Sequence, residues 1–285
     1  MNRPMFWSVR RELWENRSIY IAPLVVAMVE LIGFSISSIG LPHRRRAVLM
    51  LDAAQQRAAI QRPYDIAAFM LLLTAFIVGV FYCVDALYGE RRDRSILFWK
   101  SLPVSDRTTV LSKAGIPLLV LPLITFAMVI ITQAIMLLLS SVVLLMNGLS
   151  PATTWKYVNP FHDWPILLYG LIVIALWHAP IYAWLLLVSC WAKRAVILWA
   201  VFPFFAIGVL DAIALNGKHV RSLLMYRLMG GFARAFDFGA HGEVNSLTQL
   251  TPGRFLSTPG LWIGLAFAAA FLAVAVRVRR NREPI

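Results

Sequence analysis

Long apolar runs alternate with short polar segments along the whole chain. Six windows are apolar over about 20 residues or more, the length that a helix needs to cross ~30 Å of hydrocarbon. The windows are about 19–39, 66–88, 114–140, 165–191, 195–215 and 259–278. They lack the strict alternation of transmembrane barrel strands, and a bilayer admits spanning segments only as helices or closed barrels. The pattern therefore predicts an all-α integral membrane protein with six transmembrane helices.

The basic residues lie at the ends of these runs and predict an orientation. With the N-terminus in the cytoplasm, the cytoplasmic segments hold the larger share of the 27 Lys and Arg residues, as the positive-inside rule requires. The first window is too long for a signal-peptide core and is followed by Arg44, Arg45 and Arg46 instead of small residues. It is therefore expected to be a signal anchor, and both termini are expected to be cytoplasmic.

Composition agrees with a protein whose solvent is lipid. Of the 285 residues, 60% are hydrophobic and 14% charged, and the mean hydropathy is +0.72. The net charge of +13 lies at the ends of the spans and not on a polar domain. It therefore favours anionic lipid head groups as partners and argues against nucleic acid. Cys83 and Cys190 are too few for a disulfide framework or a metal site.

Residues 4–18 predict an amphipathic helix on the cytoplasmic surface. One face carries Phe6, Trp7, Val9, Leu13 and Trp14, with Arg10 extending to lipid phosphates. The opposite face carries Ser8, Arg11, Glu12, Glu15 and Asn16. Two interpretations remain open: the helix is a membrane anchor alone, or its outward face, with Glu12 and Glu15, contacts a cytoplasmic partner.

The loop 89–113 begins with the densest charge cluster of the chain, GERRDRSILFWKSLPVSD. Asp93 or Ser95 is suited to cap a short helix that Pro103 ends, and Ser105 is suited to cap the next one. Between them lies the apolar patch Ile96, Leu97, Phe98 and Trp99. An apolar patch rimmed by charge is typical of a protein contact, and a helix lying in the head groups would have the same pattern.

The stretch YGERRDRSILFWKSLPVSD, after the second span, resembles the first cytoplasmic loop of the permease subunits of ABC-2-type (type V) ABC exporters. The six spans and the amphipathic N-terminal helix are similar too. Arg94 stands where that family commonly has glycine. The resemblance implies that this loop is a coupling helix docking on an ATPase, through Asp93, Ser95, Ile96, Leu97, Phe98, Trp99, Leu102 and Pro103. It also implies that residues 4–18 form a connecting helix, with Arg10, Arg11, Glu12 and Glu15 at the contact.

The resemblance further implies a complex of two permeases, expected to be a homodimer, and two ATPase subunits in a bacterial inner membrane. ATP and Mg would be bound by the ATPase, and this chain would bind no cofactor. The sequence contains no G-x-x-x-x-G-K-[ST] phosphate loop. The chain is therefore expected not to be an enzyme, with ATP hydrolysis on a separate subunit.

Ionisable residues inside the spans are candidates for the translocation pathway, because they are costly to insert. Glu30 and His178 lie midway along the first and fourth windows, and either facing a pathway or pairing within the bundle would explain Glu30. Asp85 is expected to pair with the arginines at 91–94. The loop 216–258 holds two amphipathic pieces split by Gly230 and Gly231, which are either re-entrant or interfacial.

Two other functions fit the same topology. A membrane-embedded lipid-modifying enzyme would need a cluster of polar residues at one membrane face. A non-transporting assembly or sensor subunit would use the loop 89–113 as a contact.

Overall fold

A computed structural model describes residues 3–95, 104–215, 218–238, 244 and 246–281, except for the side chains of residues 3, 4 and 215. The first half of the chain forms helices α1 (Arg3–Glu15), α2 (Ser18–Ser38), α3 (Leu41–Val48), α4 (Ala53–Asp85), α5 (Tyr88–Arg92), α6 (Asp106–Gly115) and α7 (Leu121–Met146). The second half forms α8 (Ala152–Tyr157), α9 (Pro160–Trp191), α10 (Val196–Leu215), α11 (His219–Met229), α12 (Phe232–Ala235), α13 (Pro252–Leu256) and α14 (Pro259–Asn281).

Within the described residues, six helical runs are long and apolar enough to cross a membrane. They are Ser18–Ser38, Ala53–Arg92, Asp106–Met146, Ala152–Trp191, Val196–Ala214 and Pro259–Asn281. Each contains one of the six predicted windows or overlaps it almost completely. The predicted fold class, an all-α membrane protein with six transmembrane helices, is confirmed.

Two helices extend well beyond their apolar windows. Helix α4 begins at Ala53, although the apolar window begins near residue 66. At about 1.5 Å per residue its 33 residues measure roughly 50 Å, so its first turns extend past the hydrocarbon. Helix α9 likewise begins at Pro160. Polar residues at the start of a long helix do not interrupt it, because helix propensity depends little on polarity.

A π-helical segment, Ile116–Val120, joins α6 to α7. Pro117 lies inside this segment, and a proline has no N–H to donate to the preceding turn. The helix accommodates the missing hydrogen bond by widening for one turn and then continues, as π-bulges commonly do. Pro117 therefore lies in a local bulge within one continuous helical run.

The chain divides into two compact units. The first comprises Met1–Arg17, Gly79–Pro122 and Tyr169–Ile285. Its buried core includes a cluster of three alanines on α9 and α14, at Ala179, Ala183 and Ala268. Small side chains of this kind let transmembrane helices approach closely.

The second unit comprises Ser18–Val78 and Leu123–Leu168. Tyr64 is buried in its core, and its hydroxyl is hydrogen-bonded to Ser140 at 3.1 Å. Gln133 donates to the Tyr64 carbonyl at 3.3 Å and accepts from Trp164 Nε1 at 3.1 Å. Polar side chains inside this unit thus bridge neighbouring helices, which satisfies their hydrogen bonds without water.

The loop between α10 and α14 packs against the middle of α9. Gly231, between α11 and α12, lies against the indole of Trp177, and Arg227 stacks over the same ring at 4.9 Å. Trp177 is 1% exposed and lies near the centre of the apolar window 165–191. The split at the glycine pair agrees with the two amphipathic pieces read from the sequence, and the contact is with the interior of a span.

Candidate functional site

Helix α1 packs with its polar face on α6. Ser8 is buried, and the side chain of Glu12 is fully buried. Lys113 Nζ on α6 donates to both carboxylate oxygens of Glu12, at 2.9 and 3.0 Å. The hydroxyl of Tyr82, near the end of α4, donates to Glu12 Oε2 at 2.8 Å. A single carboxylate therefore joins the N-terminal helix to α4 and α6.

Glu90 on α5 is the second centre of the site. Its carboxylate lies 3.1 Å from Lys113 Nζ, 3.3 Å from Arg11 Nη2 and 2.9 Å from Arg279 Nη2 near the end of α14. Arg279 also forms an ion pair with Asp106, in the first turn of α6. These contacts add α5 and the end of the last span to the elements that Glu12 joins.

The six charged residues of the site form what we term the ion network: Arg11, Glu12, Glu90, Asp106, Lys113 and Arg279. Three carboxylates face three cations, so the formal charges sum to zero. Burying any one of these ions without a partner would cost several kcal/mol, because the ion loses its water. In the network, attraction between the opposite charges offsets that cost. The network is therefore expected to hold one arrangement of its helices.

The electrostatics at Glu12 follow from these contacts. Burial by itself raises the pKa of the Glu12 carboxyl, but Lys113 and Arg11 outweigh it, and the pKa lies below its ordinary value. Glu12 is therefore ionised at neutral pH. Because the folded-state pKa is the lower one, the pairing stabilises the folded state above the ordinary glutamate pKa. That stabilisation is lost as pH falls through the folded-state pKa.

Arg91 on α5 forms hydrogen bonds with the end of α9. Its side chain is buried and donates to the carbonyls of Ser189, at 3.1 Å, and Ala192. Carbonyl groups in the last turn of a helix have no partner within the helix, and a cation there also interacts favourably with the helix dipole. Arg91 thus has structural contacts in addition to any effect on the membrane topology.

The opposite face of α1 is exposed. Trp7 and Trp14 are 56% and 62% exposed, and Arg10 lies over both indoles at 5.2 and 4.6 Å. This face has the composition of a helix lying at a membrane interface. The predicted outward position of Glu12 is wrong: its carboxylate is the most buried group on α1, while Glu15 remains largely exposed. The sequence of α1 does not reveal that Glu12 is buried, because the cation that pairs with it, Lys113, lies 101 residues away.

The residues predicted to couple to an ATPase lie mostly outside the described part of the chain, namely Ile96, Leu97, Phe98, Trp99, Leu102 and Pro103. Asp93 is exposed and pairs with Arg92 at 2.9 Å. Ser95 Oγ donates to the Glu90 carbonyl at 3.3 Å. On the far side of that segment, Ser105 caps α6 by accepting from the N–H of Thr108, as predicted. Two residues of the ion network, Glu90 and Asp106, therefore lie before and after the segment that contains these six residues.

Arg94 has a left-handed backbone, with φ 59°. This conformation costs a non-glycine residue roughly 1–2 kcal/mol, which explains why glycine suits the position. We expect Arg94→Gly to raise the free energy of unfolding by up to about 1 kcal/mol, because the strain removed exceeds the entropy that glycine adds to the unfolded chain. Thermal unfolding of the purified protein measures this. Arg92→Gly, inside α5 at ordinary helical angles, is the control and should destabilise.

The candidate pathway residues have different surroundings. Both carboxylate oxygens of Glu30 are shielded and have no hydrogen-bond partner among the described residues. His178 is buried, and its Nδ1 donates to the Ile174 carbonyl of its own helix at 3.0 Å. A pathway role for either residue stays a prediction. Asp85 lies 3.7 Å from Arg92, which confirms the predicted pairing.

The site residues predicted from the sequence do not include Lys113, Arg279 or Tyr82. A usable signal was present for Lys113, which lies at the start of an apolar run with no acidic neighbour in the following turns. A buried lysine needs an anion, and this one finds two carboxylates that are far away in sequence. Among the described residues, no group of three or more His, Cys, Asp or Glu side chains is placed to hold a metal ion.

Comparison with known proteins adds no family assignment. No protein-family model matches the chain, and no curated protein is significantly similar to it.

Proposed function

We propose that this chain is the permease subunit of an ATP-binding cassette exporter in a bacterial inner membrane. Two copies would form the translocation pathway, and two separate ATPase subunits would bind ATP and Mg and supply the energy. The segment 96–103 would dock on the ATPase, with α1 beside it as the connecting helix. The proposal rests on the loop sequence ERRDRSILFWKSLPVS and on the ion pairs of Glu90 and Asp106, which lie on either side of residues 96–103.

The ion network is the observation that carries the proposal. Glu90 lies six residues before Ile96, and Asp106 lies three residues after Pro103. Through Lys113 and Arg279, these two carboxylates are joined to α6 and α14. A displacement of the docked segment would therefore move the ends of two spans and α1 together. Rigid transfer of this kind is what coupling to an external ATPase requires.

The same network argues against a lipid-modifying enzyme. It is the largest connected set of ion pairs among the described residues, yet Glu12, Lys113 and Arg279 are at most 3% exposed. A substrate could not reach them without breaking the ion pairs. A sensor subunit would use the loop as a contact but would not transport.

We expect that Phe98→Ala with Trp99→Ala uncouples ATP hydrolysis from transport. Buried aromatic anchors at a protein interface often contribute about 2 kcal/mol or more each. Even one such loss corresponds to about 30-fold, so the double variant should weaken ATPase docking by at least that factor. The measurement uses the full-length chain reconstituted with the ABC ATPase that co-purifies with it. Its readouts are the affinity of the two subunits and the stimulation of ATP hydrolysis.

A matched control is Trp262→Ala with Phe267→Ala, two exposed aromatics on α14. This pair should leave docking and stimulation unchanged. Equal docking and stimulation in the Phe98 and Trp99 variant would contradict the coupling role. A complex that hydrolyses ATP normally without moving any substrate would favour the sensor subunit.

A further inference from the structure

A cavity of about 340 Å³ lies in the second unit, where α2, α3 and α4 meet. Its volume falls at the lower end of the ~300–1,000 Å³ usual for small-molecule sites. Phe34, Val48 and Ile60 contribute apolar surface, and Arg44 and Arg45 contribute charge. None of the described residues that line it is acidic.

Arg45 is the unusual member of this lining. It is one of three consecutive arginines, yet its side chain is only 5% exposed. Nη2 donates to Thr154 Oγ1 at 2.8 Å, whereas Nη1 has no hydrogen-bond partner among the described residues. No carboxylate in the described part of the chain forms an ion pair with it, and burial lowers the pKa of its guanidinium. A buried, unpaired cation costs several kcal/mol unless an anion accompanies it.

The position of the cavity indicates which anions reach it. Helix α3 begins at Leu41, three residues after the apolar helix α2 ends at Ser38. The chain therefore leaves the hydrocarbon here, at the depth of lipid head groups. Arg44 donates to the carbonyl and the hydroxyl of Ser37, which holds a second guanidinium beside the cavity.

We propose that this cavity binds a phosphate group, with Arg45 as the buried countercharge. A guanidinium offers a planar fork of N–H donors that matches the oxygens of a phosphate, and Nη1 is the donor left for it. The apolar lining would contact the carbon chain or backbone of a phosphate ester. The ligand is either the head group of a membrane phospholipid or a free phosphate compound. The site does not depend on the proposed exporter function, because binding requires no ATPase.

The test uses the full-length protein, purified in a neutral detergent and stripped of lipid. Phosphatidylglycerol, diacylglycerol and inorganic phosphate are titrated separately, and binding is followed by native mass spectrometry and by the thermal unfolding midpoint. Arg45→Gln should weaken phosphate-dependent binding by about tenfold or more, which corresponds to ~1.4 kcal/mol. Arg46→Gln is the matched control: the same change of charge on the next residue, which is exposed.

The results distinguish a phospholipid from a free phosphate compound and test whether Arg45 binds either one. Binding of phosphatidylglycerol but not diacylglycerol, lost in Arg45→Gln and kept in Arg46→Gln, identifies a phospholipid. Arg45-dependent binding of inorganic phosphate alone identifies a soluble phosphate. If Arg45→Gln does not fold, Arg45→Lys keeps the charge without the planar fork and should still bind more weakly than the wild type. Binding that is the same in the wild type and the Arg45 variants, or no binding of either phosphate compound, overturns the proposal.

Discussion

Replacing Glu12 by Gln is expected to lower the free energy of unfolding by about 3–5 kcal/mol, the range for breaking a buried ion pair by removing one partner. Glu12 is fully buried and accepts from Lys113 and Tyr82. After the substitution, two carboxylates would face three cations, and the buried network would carry an excess positive charge that Glu90 and Asp106 alone cannot balance. Lys113→Met should cost a similar amount, because it leaves the network with an excess negative charge. Thermal or denaturant unfolding of the purified protein measures both effects.

The double variant Glu12→Gln with Lys113→Met tests whether charge balance is what stabilises the ion network. It restores neutrality, with Glu90 and Asp106 facing Arg11 and Arg279. The double variant should therefore lose less unfolding free energy than the two single variants lose together, by at least ~1 kcal/mol. Glu15→Gln is the control, because Glu15 is 45% exposed and lies 3.7 Å from Arg11. Exposed pairs of this kind contribute roughly 0–1 kcal/mol. Strictly additive single effects, or a control as damaging as Glu12→Gln, would show that charge balance does not hold the network together.

Gly231→Ala is expected to destabilise the protein by about 1–3 kcal/mol, the usual cost of overpacking. The backbone at Gly231 is ordinary helical, with φ −63° and ψ −44°, so alanine brings no conformational strain. A Cβ there would lie 2.7 Å from Cγ and 2.9 Å from Cδ2 of Trp177. The indole is buried and also contacts Tyr226 and Arg227, so it cannot move aside cheaply. Thermal unfolding and proteolysis within the loop between α10 and α14 report the effect.

Gly253→Ala tests whether the effect is steric. Gly253 lies in α13 of the same loop, and a Cβ there would meet nothing within 4 Å. This variant should be neutral or slightly stabilising, since alanine loses less entropy than glycine on folding. In a Trp177→Ala background, which lacks the clashing Cγ and Cδ2, the further change Gly231→Ala should cost little stability. Equal unfolding midpoints for Gly231→Ala and the wild type would mean that the loop does not rest on α9.

Features that depend on neighbouring residues were predicted correctly from the sequence, whereas features that depend on residues far apart in the chain were not. Ser105 caps α6 as predicted because a cap depends on residues within one turn. Likewise, the apolar windows 165–191 and 195–215 leave only residues 192–194 between them, and the chain turns there between α9 and α10. Glu12 was misplaced because the faces of α1 were assigned from the residues of that helix alone. The partners of Glu12 and of the buried Arg45 are Lys113 and Thr154, which lie 101 and 109 residues away.

The sequence by itself determined that this is an all-α membrane protein with six spans. The reason is that the bilayer is a uniform solvent: about 20 apolar residues must form a helix there, whatever surrounds them. Only the tertiary structure decided which charged residues are buried. The ion network, the contact of Gly231 with Trp177 and the cavity at Arg45 each join segments distant in the sequence. Burial of a charge is stable only where opposite charges or hydrogen-bonding groups meet in space, and no local pattern records that meeting.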